Sequence, residues 1–151
     1  MTVKVVQRAD PAGVDRVLRS LPDWFGIEDA IVDYVEKAAT LDSYLAIDEN
    51  GLTIGVALIT RHFEESAELT LVAVHARHRS TGVGRELIQS AELALQEDGC
   101  RFLEVHTVGP SFEHPGYAAT RAFYAAVGFS PVHEFTGLDW DGPTLIMIKQ
   151  L

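Results

Sequence analysis

Between Glu68 and Leu95 the sequence ELTLVAVHARHRSTGVGRELIQSAELAL reads as a strand, a glycine-containing turn and a helix without interruption. Apolar residues dominate positions 69–74, the pattern of a strand buried in a mixed sheet. Arg77, His78, Arg79, Ser80 and Thr81 then make the chain abruptly basic and polar. Beyond Gly82, the residues Val83, Leu87, Ile88, Ala91, Ala94 and Leu95 fall on one helical stripe. That spacing predicts an amphipathic helix that starts inside the turn and lays its apolar face on the sheet. The turn therefore sits at a helix N-terminus, where unpaired N–H groups and the positive end of the helix dipole attract an anion. Gly82 and Gly84 let the backbone approach a phosphate with no Cβ in the way.

The spacing Arg79-Ser80-Thr81-Gly82-Val83-Gly84 is R-x-x-G-x-G. It matches neither the dinucleotide pattern G-x-G-x-x-G nor the longer P-loop ending in Gly-Lys-Ser/Thr. Taken alone, these six residues also suit an ordinary loop-to-helix turn. Arg77, His78, Arg79 and Arg85 gather around it in a chain whose formal net charge is −10. A basic cluster on an acidic chain is where a polyanionic ligand would be held, and a solvated basic loop has the same composition. The overall acidity argues against a nucleic-acid surface, which demands a basic face, and suits a cationic partner.

At 151 residues and 47% hydrophobic, the chain is expected to form one domain over residues 1–151, large enough to bury its core without disulfides. The single Cys100 has no intramolecular partner and reads as a buried structural thiol. The first residues, MTVKVVQRADP, lack the apolar stretch of a secretion signal, and no run has the length of a membrane span. A soluble, cytoplasmic protein without a membrane partner is the expectation.

The remaining elements follow from periodicity and punctuation. Residues 3–6 suit a first strand, and Asp10-Pro11 supplies a helix cap with proline at the first helical position, ahead of the stripe Val14, Val17, Leu18 and Leu21. A turn with Trp24 and Phe25 leads to a second helix traced by Ile27, Ala30, Ile31, Tyr34, Val35 and Ala38. The two aromatics either line a pocket or staple the helices together. Strands over 43–47 and 52–60 flank the Asn50-Gly51 hairpin signal, and a strand over 101–108 follows the Asp98-Gly99 helix end. A helix over 117–127 is expected to bury Ala119, Ala122, Phe123 and Ala126, leaving Tyr117, Arg121 and Tyr124 on another face. Strands over 132–135 and 144–149 complete the order β-α-α-β-β-β-α-β-α-β-β. His75 and His78 lie three apart without cysteine or carboxylate ligands nearby, so no metal site is expected.

This order, the R-x-x-G-x-G turn and the later Arg121-Ala122-Phe123-Tyr124-Ala125-Ala126-Val127-Gly128-Phe129 together resemble the GNAT superfamily of N-acetyltransferases over essentially the whole chain. The resemblance implies an α/β (α+β) fold: a twisted, mixed, mostly antiparallel sheet of about seven strands flanked by about four helices. Its central strands would splay to admit the pantetheine arm of acetyl-CoA. It implies an acetyl-CoA-dependent N-acetyltransferase that moves the acetyl group to a primary amine by direct attack in a ternary complex, with acetyl-CoA as cosubstrate and no metal. A non-catalytic acyl-CoA sensor or partner subunit of the same fold is the alternative, and a homodimer is common in the family.

Acyl transfer to an amine needs a bound thioester, a donor for the oxyanion, a proton for the leaving thiolate and a base for the ammonium. By resemblance, Val72, Ala73 and Val74 would offer backbone groups to pantetheine and the acetyl carbonyl. Arg79, Ser80, Thr81, Gly82, Val83, Gly84 and Arg85 would hold the pyrophosphate. Tyr124 matches the tyrosine near the thioester sulfur, and a phenol of pKa about 10 can protonate a thiolate of about 8.5 at modest cost. Glu68 stands where several members place a base; a like charge, for which Glu64 and Glu65 are candidates, would raise its proton affinity. His106 and His114 are the back-up bases. Two positions depart from the common pattern: Tyr117 replaces an asparagine that contacts pantetheine, and Ser80 replaces a frequent glycine.

Overall fold

The computed structural model describes residues 3–151. The elements are β1 Lys4–Gln7, α1 Pro11–Arg19, α2 Glu28–Lys37, β2 Asp42–Ile47, β3 Thr53–Arg61 and β4 Ser66–Val74, then α3 Val83–Glu97, β5 Phe102–Val108, α4 Pro115–Ala126, β6 Ser130–Thr136 and β7 Pro143–Gln150. Their order is the expected one. Asp10 caps α1 by accepting from the Gly13 N–H at 3.1 Å, and its second oxygen accepts from Thr53 Oγ1 at 2.7 Å, fastening the helix to β3. Such a cap contributes about 1 kcal/mol. Among the described residues no helix is long and apolar enough to cross a membrane.

The seven strands form one sheet in the order β1-β2-β3-β4-β5-β7-β6. Every neighbouring pair is antiparallel except β4 and β5. One face packs against α1 and α2 through Leu45, Val56, Leu58, Leu71 and Ala73; the other packs against α3 and α4 through Ala57, Ile59, Leu69, Leu103 and Met147.

Two irregularities at the centre of this sheet create the site. In the first, β4 pairs Leu71 with Leu58 and Leu69 with Ile59, so Thr70 is an extra residue in the ladder. This bulge moves the buried positions of β4 from the α3 side, at Ala67 and Leu69, to the α1–α2 side, at Leu71 and Ala73. In the second, β4 and β5 pair in parallel only at Ser66↔Phe102, Ala67↔Leu103 and Glu68↔Glu104. Beyond Glu68 the strands run on to Val74 and Val108 without pairing, so the sheet forks. The open edge of β4 presents backbone donors and acceptors to the gap.

The fourth helix differs from the sequence expectation. Ala119, Ala122 and Ala126 face solvent and Phe123 is half-buried, whereas Tyr124 is buried at 7% exposure and Val127, just past the helix, at 6%. Alanine side chains bury little area, so the larger aromatic and branched residues determine the inward face where the helix closes over the fork. Cys100 is buried, as expected, beside the Glu65 and Phe102 carbonyls.

Candidate active site

The turn after β4 is built to leave N–H groups free. Gly82 occupies the N-cap of α3 with φ +87°, and no side chain caps the helix. Ser80 also has a positive φ of 62°, so the backbone reverses hand twice within three residues. A Cβ on Gly82 would meet no protein atom within 4 Å, and one on Gly84 would press on Phe123 Cζ at 3.2 Å. The cradle is therefore open above Gly82 and tight beneath Gly84. Thr81 is exposed, and its hydroxyl donates to the His78 carbonyl within the turn rather than facing the gap.

The turn borders a cavity of about 680 Å³ that runs along the open edge of β4. Val72, Ala73, Val74, Arg79, Ser80, Gly82, Val83, Gly84, Arg85, Tyr124 and the back-up base His106 all line it, whereas Thr81, Glu68 and His114 do not. Trp24, Phe25 and Tyr34 close the cavity from the α1–α2 side, so the two aromatics of that turn line the pocket and also pack on the helices. Arg79 lies over the Trp24 ring at 4.1 Å, joining the basic turn to that aromatic wall. A second cleft, of about 630 Å³, lies at the N-terminal end of β4 and is lined by the 61–65 connection and Cys100.

Tyr124 enters the fork from the α3–α4 face, its ring against Phe123 and Phe129 at 5.7 Å each. Burial pushes its phenol well above the ordinary value, so the hydroxyl stays protonated. Glu68 belongs to the opposite face, because its neighbours Ala67 and Leu69 both point to the α3 side. It sits on the last paired rung, beside Glu104 on β5. The like charge next to Glu68 is thus Glu104, not Glu64 or Glu65, which lie exposed in the hairpin before β4.

This second face carries residues that the linear order did not group. His62 Nε2 lies 2.8 Å from Glu68 Oε1 and 4.0 Å from Glu104 Oε1. His106 Nε2 lies 3.2 Å from Glu104 Oε1, and its Nδ1 lies 2.8 Å from Asp139 Oδ2 in the β6–β7 connection. One side-chain nitrogen or oxygen from each of His62, Glu68 and Glu104 lies within 4.8 Å of the others. Neither back-up base is free for that role. Both nitrogens of His106 face carboxylates, and His114 Nδ1 accepts from the Gly116 and Tyr117 amides as the cap of α4.

A family model described as the acetyltransferase (GNAT) domain matches residues 40–131, well over half of the chain. The chain belongs to the GNAT acetyltransferase family. Solved structures agree in fold. A GNAT-family protein from Desulfovibrio desulfuricans superposes with a TM-score of 0.78 at 22% identity, covering 99% of each chain. A GNAT acetyltransferase from Elizabethkingia anophelis with acetyl-CoA bound has a TM-score of 0.75 at 17% identity, covering 99% of this chain and 98% of that one. The PaiA N-acetyltransferase from Thermoplasma acidophilum, in complex with coenzyme A, has a TM-score of 0.75 at 19% identity over 100% of both. No curated protein matches the sequence. In this GNAT domain, Tyr117 lines the cavity and so reaches the gap despite replacing asparagine.

Coenzyme A suits the residues present. The open cradle at Gly82, the uncapped start of α3, the Arg79 and Arg85 side chains on the cavity and the unpaired β4 edge form one continuous path. When bound there, acetyl-CoA would supply the activated acyl carbon.

Proposed function

We propose that this protein is an acetyl-CoA-dependent N-acetyltransferase acting on a primary amine, with both substrates bound at once. The observation that carries the reading is the fork: the tyrosine reaches it from one face of the sheet and the carboxylate Glu68 stands at its apex on the other. A thioester lying along the open edge of β4 would then have an acid on its sulfur side and a base on the side from which an amine arrives.

In this proposal the amides of Val83, Gly84 and Arg85 hold the pyrophosphate, with the Arg79 and Arg85 side chains adding charge. Backbone groups between Val72 and Val74 pair with the pantetheine arm, and the region of the Val72 N–H receives the developing oxyanion. Glu68 takes the ammonium proton, directly or through solvent. Tyr124 gives its proton to the departing thiolate. Burial disfavours both anions there, so transfer is less uphill than the raised phenol alone would make it. The carboxylates of this face and the net charge of −10 favour a cationic acceptor.

Thiol release from acetyl-CoA across a panel of amines, with a coenzyme A thermal-shift titration on the same sample, tests the reading. Release with an amine supports a transferase and identifies its acceptor class. A thermal shift without release points to the acyl-CoA sensor, and neither signal rejects both.

A further inference from the structure

The connection between β6 and β7, residues 137–142, folds back over the face that carries Glu68 and Glu104. Trp140 packs edge-on against Phe112 at 5.5 Å and donates its indole N–H to the Pro143 carbonyl at 3.0 Å. Leu138 and Trp140 remain 49% and 41% exposed, so little burial anchors the loop. Its side-chain tie to the central strands, among the described residues, is Asp139 to His106.

His106 stands between two carboxylates, 2.8 Å from Asp139 at Nδ1 and 3.2 Å from Glu104 at Nε2. An ionised carboxylate only accepts, so both ring nitrogens must donate, and the geometry calls for the imidazolium form. That form has no lone pair with which to deprotonate a substrate. We propose that His106 is an acceptor-positioning residue: its imidazolium bridges Glu104 and Asp139, holding the β6–β7 loop as the outer wall of the amine side of the fork. The cofactor turn does not depend on this bridge. The word acceptor rests on the transferase reading; the bridge itself does not.

Burial opposes the charged ring, but Asp139, Glu68 and Glu104 outweigh it and raise its proton affinity above the ordinary value. The other titratable groups around this face are His62 after β3 and Tyr34 and Lys37 on α2. A raised folded-state value means that the bridge is intact below the ordinary 6.5 and is lost as pH rises through the raised value.

Trp24→Phe leaves Trp140 as the sole tryptophan, a reporter within the loop. Its emission is followed from about pH 5.5 to 9, the range over which a perturbed histidine titrates. A single transition centred above pH 6.5 is expected, absent in His106→Gln and in Asp139→Asn. His106→Lys keeps a cation between the same carboxylates and should hold the low-pH spectrum throughout. A transition that persists in His106→Gln, or a lysine variant that behaves like the glutamine one, overturns the bridge, and a thermal melt of each variant reports folding.

The second readout uses whichever amine supports thiol release. His106→Gln should raise its KM about tenfold, the scale of a lost hydrogen bond to a charged group. The acetyl-CoA KM and kcat should stay within about twofold, and the lysine variant should restore the amine KM. An equal loss toward acetyl-CoA overturns the positioning role. If no amine is turned over, the transferase reading fails, while the Trp140 titration still decides the bridge.

Discussion

The two sides of the fork are made in different ways. The side proposed for the cofactor is contiguous: it runs through seven consecutive residues from Arg79 to Arg85, and its geometry follows from a local backbone choice at Ser80 and Gly82. The side proposed for the amine is assembled from separate elements, with Trp24 between α1 and α2, Tyr34 on α2, Glu68 on β4, His106 on β5 and Asp139 in the β6–β7 connection. A cradle of main-chain amides tolerates many side chains but few backbone changes. A surface of side chains from five elements tolerates drift in any one of them, which suits a site whose ligand differs between proteins of one fold.

The sharpest way to break this comparison is Gly82→Val. A side chain there fills the empty space above the cradle and strains a φ of +87°, so coenzyme A binding should be abolished, with circular dichroism unchanged. Unaltered affinity in a calorimetric titration would remove the turn from the site. Tyr124→Phe comes next. Water cannot easily replace a buried acid, so kcat should fall by about a thousandfold while the acetyl-CoA dissociation constant stays near its wild-type value. A large loss of binding instead would make the tyrosine mainly a cofactor contact. Because its phenol is raised, the wild-type kcat should show no alkaline loss from Tyr124 at ordinary assay pH.

Glu68→Gln should cost about a hundredfold in kcat, at the lower end for a general base, because Glu68 is only partly buried and solvent can stand in. An unchanged rate would shift the base elsewhere. The smallest effect is expected from Trp24→Leu, which removes the contact linking the two sides. Losing the cation–π contact with Arg79 should raise the KM of both substrates by about two- to fivefold. An effect on the amine alone would show that the two sides are independent.

What could be read along the chain was what depends on neighbours in sequence. The element order, the helix stripe from Val83 to Leu95, the Asp10 cap and the R-x-x-G-x-G turn are local, set by periodicity, φ preference and N–H groups left over at a helix start. The family resemblance extended this to the forked sheet and to Tyr124. The inward face of α4 was misread because four small or apolar positions made a plausible stripe, and only packing against the fork revealed that Tyr124 and Val127 are the larger buried surfaces. Glu104 beside Glu68, and Asp139 thirty-three residues after His106, became neighbours only through the parallel β4–β5 rung and the folding back of the β6–β7 connection. No spacing rule encodes such contacts, because register and loop path are decided by the whole sheet and not by the residues that happen to meet.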